Sequence, residues 1–193
     1  MKQVLRASLV MFICLTLITG VLYPLLVTGI GHTFFPAQIA GSLIRKNGVM
    51  IGSALIGQDF HSPQYFWGRP SATGPYPNNA AASSGSNLGP LNPALADVVT
   101  TRYKQYQSSG FPETPVPVEL LTASASGLDP DISPAAALYQ VNRVAKVRQM
   151  DIDQLKALIA NNTIPRQFGI LGEPRLNVLA LNLALDEMAS VQK

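Results

Sequence analysis

The hydrophobic pattern of the chain changes character near residue 30. From Ala7 to Ile30 it reads ASLVMFICLTLITGVLYPLLVTGI, without a charged side chain. The hydrocarbon core of a bilayer takes roughly 20 apolar residues in helical conformation, so this run is long enough to span it. Lys2 and Arg6 precede it, and the next Lys or Arg residues are Arg45 and Lys46. An excess of positive charge marks the cytoplasmic flank. The pattern therefore predicts a cytoplasmic N-terminus over 1–6, a transmembrane helix over 7–30, a membrane-proximal linker over 31–48 and an extracytoplasmic domain over 49–193. A cleaved signal has an apolar region of about 7–15 residues followed by small residues at A-x-A spacing. This run is longer, and Gln38-Ile39-Ala40 places a polar residue at the −3 position, so the segment is expected to be retained. Cys14 lacks a lipidation context, because bulky Ile13 precedes it and a long apolar stretch follows.

Inside the span, Thr16, Thr19 and Gly20 cluster on one side, with Thr28 and Gly29 near the outer end. Small residues let a second helix approach closely, and threonine hydroxyls can bond across the contact. Pro24 lacks the N–H that would bond Gly20 and is expected to kink the helix there. Thr16, Gly20 and Pro24 are the expected contacts with a partner helix.

Beyond the span the periodicity is first irregular and then helical. Phe34-Phe35-Pro36 reads as an interfacial exit. Val49 to Gly57 reads as one or two short strands broken by glycine, and a further strand is expected near Tyr65-Phe66-Trp67. Ser71 to Pro90 is dense in Ser, Asn, Gly, Ala and Pro, which is turn chemistry; an ordered loop of such length is usually functional or packed on itself. Asn92-Pro93 then places an N-cap before proline at the first helical position, with Leu95, Val98, Val99, Arg102, Tyr103 and Tyr106 following at helical spacing. Pro115 to Thr122 reads as an edge strand. Ser133-Pro134 opens a helix to about Arg148 with a buried stripe of Leu138, Val141, Val144 and Ala145, leaving Arg143, Lys146 and Arg148 mostly on the other side. Asp151 with Gln154 has capping-box spacing, and Met150 with Leu155 has staple spacing, for a helix ending near Asn161-Asn162. A last helix is expected from about Asn177 to Met188, with Val178, Leu181, Leu185 and Met188 on one face. The fold class is α+β: one N-terminal transmembrane helix followed by a single mixed α/β domain with helices concentrated in its C-terminal half.

Composition narrows this picture. A net charge of +3 over 193 residues gives no particular attraction to nucleic acid. The single cysteine lies in the span, so the outer domain must hold together by burial alone. Chemistry is sparse. The chain contains no phosphate-binding G-x-x-x-x-G-K-[ST], no H-E-x-x-H and no G-x-S-x-G. Asp59 and His61 are two apart and can share one side of an extended segment, but further metal ligands at useful spacing are missing. Asp129-Pro130-Asp131 reads as a turn followed by a helix cap, with a cation-ligand pair as the alternative. Ser124 and Ser126 read as structural. Tyr65, Phe66, Trp67 and Arg69 are either the core of the outer domain or anchors for a partner, and periodicity over so short a run leaves both open.

Several blocks of the sequence carry a family resemblance. They are Gly52 to Gln58, Tyr65-Phe66-Trp67-Gly68-Arg69-Pro70-Ser71-Ala72, Ser84-Gly85-Ser86-Asn87-Leu88, Pro117 to Asp129, Arg143-Val144-Ala145-Lys146 and Val178 to Asp186, with Thr19-Gly20 and Tyr23-Pro24-Leu25-Leu26 in the span. Together, and in this order, they resemble the C subunit of the bacterial high-affinity potassium-transporting ATPase, the Kdp complex. The resemblance implies a small, non-catalytic accessory subunit in the bacterial inner membrane. Its expected partners are a channel-like potassium-translocating subunit, a P-type ATPase subunit and a small helical subunit. Potassium is then the ion transported by the complex, and the chain needs no cofactor of its own. The family is also described as a catalytic chaperone that raises the ATPase subunit's affinity for ATP. Ser84, Gly85, Ser86 and Gln140 are the positions nearest to those invoked for ATP. Cytoplasmic ATP and an extracytoplasmic domain conflict; the topology is favoured, so the domain is expected to dock on the channel-like subunit near its potassium entrance and to stabilise the assembly. The competing class is a membrane-anchored periplasmic enzyme or binding protein acting alone, which would show a polar pocket with convergent titratable groups.

Overall fold

The computed structural model describes residues 1–110 and 115–191 of the chain. They form two compact units, Met1–Leu43 and Ile44–Lys193. The first is one continuous helical rod followed by a short turn: α1 (Lys2–Leu17), a π-helical turn (Ile18–Leu22), α2 (Tyr23–Phe34) and α3 (Pro36–Ile39). The stretch Lys2–Phe34 is long and apolar enough to cross a membrane, and its large apolar side chains are exposed within this chain. Pro24 accounts for the π turn. It has no N–H to offer Gly20, and its ring presses on the preceding turn, so the helix widens there and the Tyr23 N–H reaches back to the Ile18 carbonyl. The expected perturbation near Gly20 is thus a widened turn. The Thr19 hydroxyl donates to the Leu15 carbonyl of its own helix at 2.8 Å. A Cβ added at Gly20 would meet nothing within 4 Å.

The second unit opens at the second residue of a hairpin, β1 (Leu43–Lys46) and β2 (Val49–Ser53), turned by Asn47-Gly48 at φ +52° and +80°. Both residues have the positive φ of a type I′ turn, for which Asn-Gly is the favoured pair. β1 was not expected from the sequence, and it lies within the segment read as linker. Residues 54–92 contain no further strand; Ala54-Leu55 is a turn. Polar side chains organise this stretch instead. Ser71 Oγ donates to the Gly127 carbonyl at 2.7 Å and accepts from the Asn78 N–H at 2.9 Å. Thr73 Oγ1 donates to the Tyr76 carbonyl and accepts from the Asn79 N–H. The long loop is therefore packed on itself and on residues 124–127.

Helices follow. α4 (Pro93–Ser108) is capped by Asn92 Oδ1, which accepts from the Ala94 N–H, and buries Tyr106. The expected edge strand over Pro115 to Thr122 is instead a single helical turn, α5 (Val118–Leu121), which buries Leu120 completely. Pro117 supplies the extended residue before it, and Glu119 accepts hydrogen bonds from the Ser133 N–H and hydroxyl. That tie holds the turn against the start of α6 (Pro134–Arg148). α6 begins at the Ser133 cap and ends on Gln149 at φ +55°. Its buried face consists of Ala136, Ala137, Gln140, Val141, Arg143, Val144 and Ala145. Leu138 is 47% exposed and Arg143 only 2%, the reverse of the stripe expected from apolar residues alone.

α7 (Ile152–Asn162) carries its Asp151 cap, with Oδ1 accepting from the Asp153 and Gln154 N–H groups. Met150 and Leu155 are both buried, as staple spacing requires. β3 (Asp131–Ile132) and β4 (Leu176–Asn177) form a two-residue antiparallel ladder with Ile132 opposite Leu176. α8 (Val178–Val191) buries Val178, Leu181 and Leu185, with Met188 packed beside them. α6 packs on α7 and α7 on α8. Fully burying each Leu in this core contributes about 1.5–3 kcal/mol, and no disulfide is available to supplement it.

Candidate functional site

The segment from Gln58 to Thr73 crosses the face of the helical layer, and its backbone is paired by side chains. The Phe66 N–H donates to Asn182 Oδ1 at 2.8 Å, and Asn182 Nδ2 donates back to the Phe66 carbonyl at 2.9 Å. Gln140 repeats the arrangement one residue on: the Trp67 N–H donates to Oε1 at 2.7 Å, and Nε2 donates to the Trp67 carbonyl at 3.0 Å. A primary amide presents the same donor–acceptor pair as a neighbouring strand. The backbone of Phe66 and Trp67 is thus paired without a partner strand.

Arg143 completes the network. Its guanidinium donates to the Pro63 carbonyl, to the Tyr65 carbonyl at 2.8 Å and to Gln140 Oε1 at 2.9 Å. Its Cζ lies 4.7 Å from the centroid of the Trp67 ring. Burial pushes the Arg143 pKa down to about 10. Burial likewise pushes the Tyr106 phenol up to about 12, against the opposing pull of the Arg143 and Arg102 charges. The Trp67 and Tyr106 rings lie 5.5 Å apart. Tyr65 and Arg148 converge on Asp186, at 3.1 Å and 2.7 Å.

Beside this network is a cavity of about 190 Å³ lined by Asp59, His61, Trp67, Arg69, Arg102 and Tyr106 among others. Each of its charged groups has a local partner. His61 Nε2 lies 2.8 Å from Asp59 Oδ2 at an exposed position, so the two do share one side as their spacing suggested. Arg69 Nη1 pairs with Asp129 Oδ2 at 2.9 Å. Arg102 Nη1 donates to the Leu121 carbonyl at 2.7 Å, and burial lowers its pKa. Asp129 Oδ1 also accepts from the Asp131 N–H, so the expected turn forms through the Asp129 side chain; the helix cap expected with it is supplied by Ser133, and Asp131 begins β3. Burial raises the Asp131 carboxyl, opposed mainly by Arg175, whose Nε lies 2.9 Å away. Among the described residues, no group of three or more His, Cys, Asp or Glu is placed to hold a metal ion.

The residues singled out from the sequence therefore separate. Phe66 is fully buried and Trp67 is 6% exposed, so both belong to the core of the domain, whereas Tyr65 and Arg69 are half-buried. Gln140 is fully buried and bonded to Trp67 and Arg143. Ser84, Gly85 and Ser86 lie on the loop beside Ala125 and Ser126, where the Ser84 N–H donates to the Ser126 carbonyl at 3.0 Å. A Cβ on Gly85 would stand 2.7 Å from the Ala125 carbonyl oxygen, so close backbone approach explains the glycine. Ser124 is buried, and its N–H donates to Pro70. Asn182 carries a single signal in the sequence, a polar residue between Leu181 and Leu185 on a helix that is otherwise apolar on that side.

The family described as "K+-transporting ATPase, c chain" matches residues 5–187. A relative from Polynucleobacter asymbioticus, named potassium-transporting ATPase KdpC subunit, is 58% identical over 187 residues, covering 96% of this chain and 99% of its own. Relatives of the same name from Burkholderia orbicola and Burkholderia mallei are each 59% identical over 187 residues, covering 96% of this chain and 97% of theirs.

Proposed function

The chain belongs to the KdpC family, the c chains of K+-transporting ATPases, and on that premise we propose that it is an accessory, non-transporting subunit that stabilises the assembled pump. The observation that carries this reading is the use of the domain's interior polar groups. Gln140, Asn182 and Arg143 hold the 63–67 segment in place, and each charged group of the adjoining cavity already has a partner within the domain: Asp59 with His61, Arg69 with Asp129 and Arg102 with the Leu121 carbonyl. Such a domain suits a scaffold better than a reaction centre. The N-terminal rod anchors it in the inner membrane with Lys2 and Arg6 on the cytoplasmic side, placing the domain outside. There it docks on the channel-like subunit near the potassium entrance, with the P-type ATPase subunit and the small helical subunit completing the complex. Potassium is the cargo of the complex, and ATP is used by the ATPase subunit.

Any gain in the ATPase subunit's affinity for ATP then passes through the assembly. Direct nucleotide contact by Ser84, Gly85, Ser86 and Gln140 together is disfavoured, because the Gln140 amide is enclosed. The test is removal of the outer domain, residues 44–193, with the helix kept. Potassium-stimulated ATPase activity or assembly should be lost. A truncated complex that assembles and responds to potassium normally would refute the reading. Purification of the intact chain in mild detergent separates the alternatives: a subunit brings multi-span partners with it, while a lone anchored protein comes out alone.

A further inference from the structure

The connection between α7 and β4 is a small hairpin with an apolar tip. Ile164 and Arg175 exchange backbone hydrogen bonds at 2.8 and 3.1 Å at its base, and Gln167 and Leu171 exchange bonds of 2.9 Å near its end. At the tip Phe168 is 83% exposed, Ile170 75% and Leu171 55%. Phe168 has φ +54° and Gly169 φ +77°. Left-handed backbone is unfavourable for an aromatic residue and costless for glycine, yet a ring stands at the first of these positions and is used by nothing inside the domain. The ring is held outward on a braced turn.

Three occupants suit an apolar tip: a second copy of the chain, a bilayer surface, or a cleft on another protein. The three side chains offer on the order of 400 Å² of apolar surface, about half of what each partner contributes to a stable dimer. A loop that seats on an anionic bilayer gains strength from uncompensated basic residues at its flanks. Here Arg166 pairs with Glu173 at 2.6 Å and Arg175 with Asp131 at 2.9 Å, so the flanks are neutral. A small apolar centre with a charge-balanced rim has the composition of an anchor within a larger protein interface.

We propose that the hairpin over 164–175 inserts Phe168, Ile170 and Leu171 into an apolar cleft on another, membrane-embedded subunit of the ATPase. This rests on the reading that the chain works inside that assembly. The test uses the full chain, co-expressed with its partner subunits in native membranes and carrying Phe168→p-benzoylphenylalanine. Irradiation should yield an adduct with a partner subunit, identified by mass. Adducts only with phospholipid, only with a second copy, or with nothing would overturn the proposal. In parallel, the variant Phe168→Gly with Ile170→Ser should leave the complex at least tenfold faster, while the Trp67 fluorescence of the domain stays native. Native fluorescence with unchanged dissociation would also overturn it. If the wild-type chain itself brings no multi-span subunit through purification, the assembly reading is what fails; if it does and the hairpin tests are negative, only the hairpin assignment fails.

Discussion

Replacing Gln140 with leucine separates a structural role for this residue from a ligand-binding one. The substitution removes an amide that bonds the Trp67 N–H at 2.7 Å, the Trp67 carbonyl at 3.0 Å and Arg143 Nη2 at 2.9 Å. All three lie at a fully buried position where water cannot replace the amide. Leaving a buried polar group without its partner costs about 1–3 kcal/mol. Arg143 keeps its bonds to Pro63 and Tyr65, and the leucine side chain recovers some apolar burial, so the net loss should be about 3 kcal/mol. In a domain of this size that is about 6–12 °C in Tm. In urea it is a midpoint shift of about 1.5 M for a slope near 2 kcal/mol/M. Trp67 is the only tryptophan of the chain, so urea unfolding of the full chain in detergent can be followed by its fluorescence. Gln140→Glu keeps both accepted bonds but sets a carboxylate oxygen against the Trp67 carbonyl in place of the donated one, so it too should be less stable than wild type. A Gln140→Leu midpoint within about 0.3 M of wild type, less than one lost hydrogen bond, would refute the assignment. Normal stability with lost nucleotide affinity would restore Gln140 as a ligand residue.

Two further outcomes follow from the same packing. Gly85→Ala places a Cβ 2.7 Å from the Ala125 carbonyl oxygen, which must move with its backbone; the change should cost about 1–3 kcal/mol, read by the same melt and by faster proteolysis within residues 81–90. Tyr106 should ionise late in an ultraviolet titration, at about pH 12 against an ordinary value of 10. Its folded pKa is raised, so the native state holds a proton that the unfolded chain has released, and this group's contribution to stability falls as pH rises from 10 to 12. Arg143, lowered to about 10, acts in the opposite direction over the same range. The informative comparison is therefore wild type with Tyr106→Phe: the wild type should lose about 2 kcal/mol more than the variant between pH 9 and 12.

The parts of the fold legible in the sequence are those set by local rules. An uncharged run of sufficient length made the rod, and Asn92, Ser133 and Asp151 each start a helix where cap chemistry put one. Asn47-Gly48 carried a hairpin signal that β1 obscured, being only four residues long and half charged. Other features were illegible because long-range partners override local preference. Tyr65–Trp67 has strand composition, but two side-chain amides from α6 and α8 pair its backbone. The α5 turn forms in a Pro-Val-rich stretch because Leu120 is drawn fully into the core and Glu119 is tied to Ser133. Arg143 looked like a solvent-facing cation at the end of a helix and is instead surrounded by carbonyls and the Trp67 ring. The blocks that carry the family resemblance, Tyr65–Ala72, Ser84–Leu88 and Pro117–Asp129, meet in the folded domain: Ser124 bonds Pro70, Ser84 bonds Ser126 and Arg69 pairs with Asp129.

The side of the membrane that the domain occupies can be read directly by one labelling experiment. Trp67 is enclosed, whereas Leu91 is 96% exposed and is the better reporter. With the single native cysteine removed as Cys14→Ser, the variant Leu91→Cys in intact spheroplasts is treated with a membrane-impermeant maleimide. Labelling before lysis to the same extent as after lysis is the predicted result. Labelling only after the membrane is opened would put the domain on the ATP side and contradict the account.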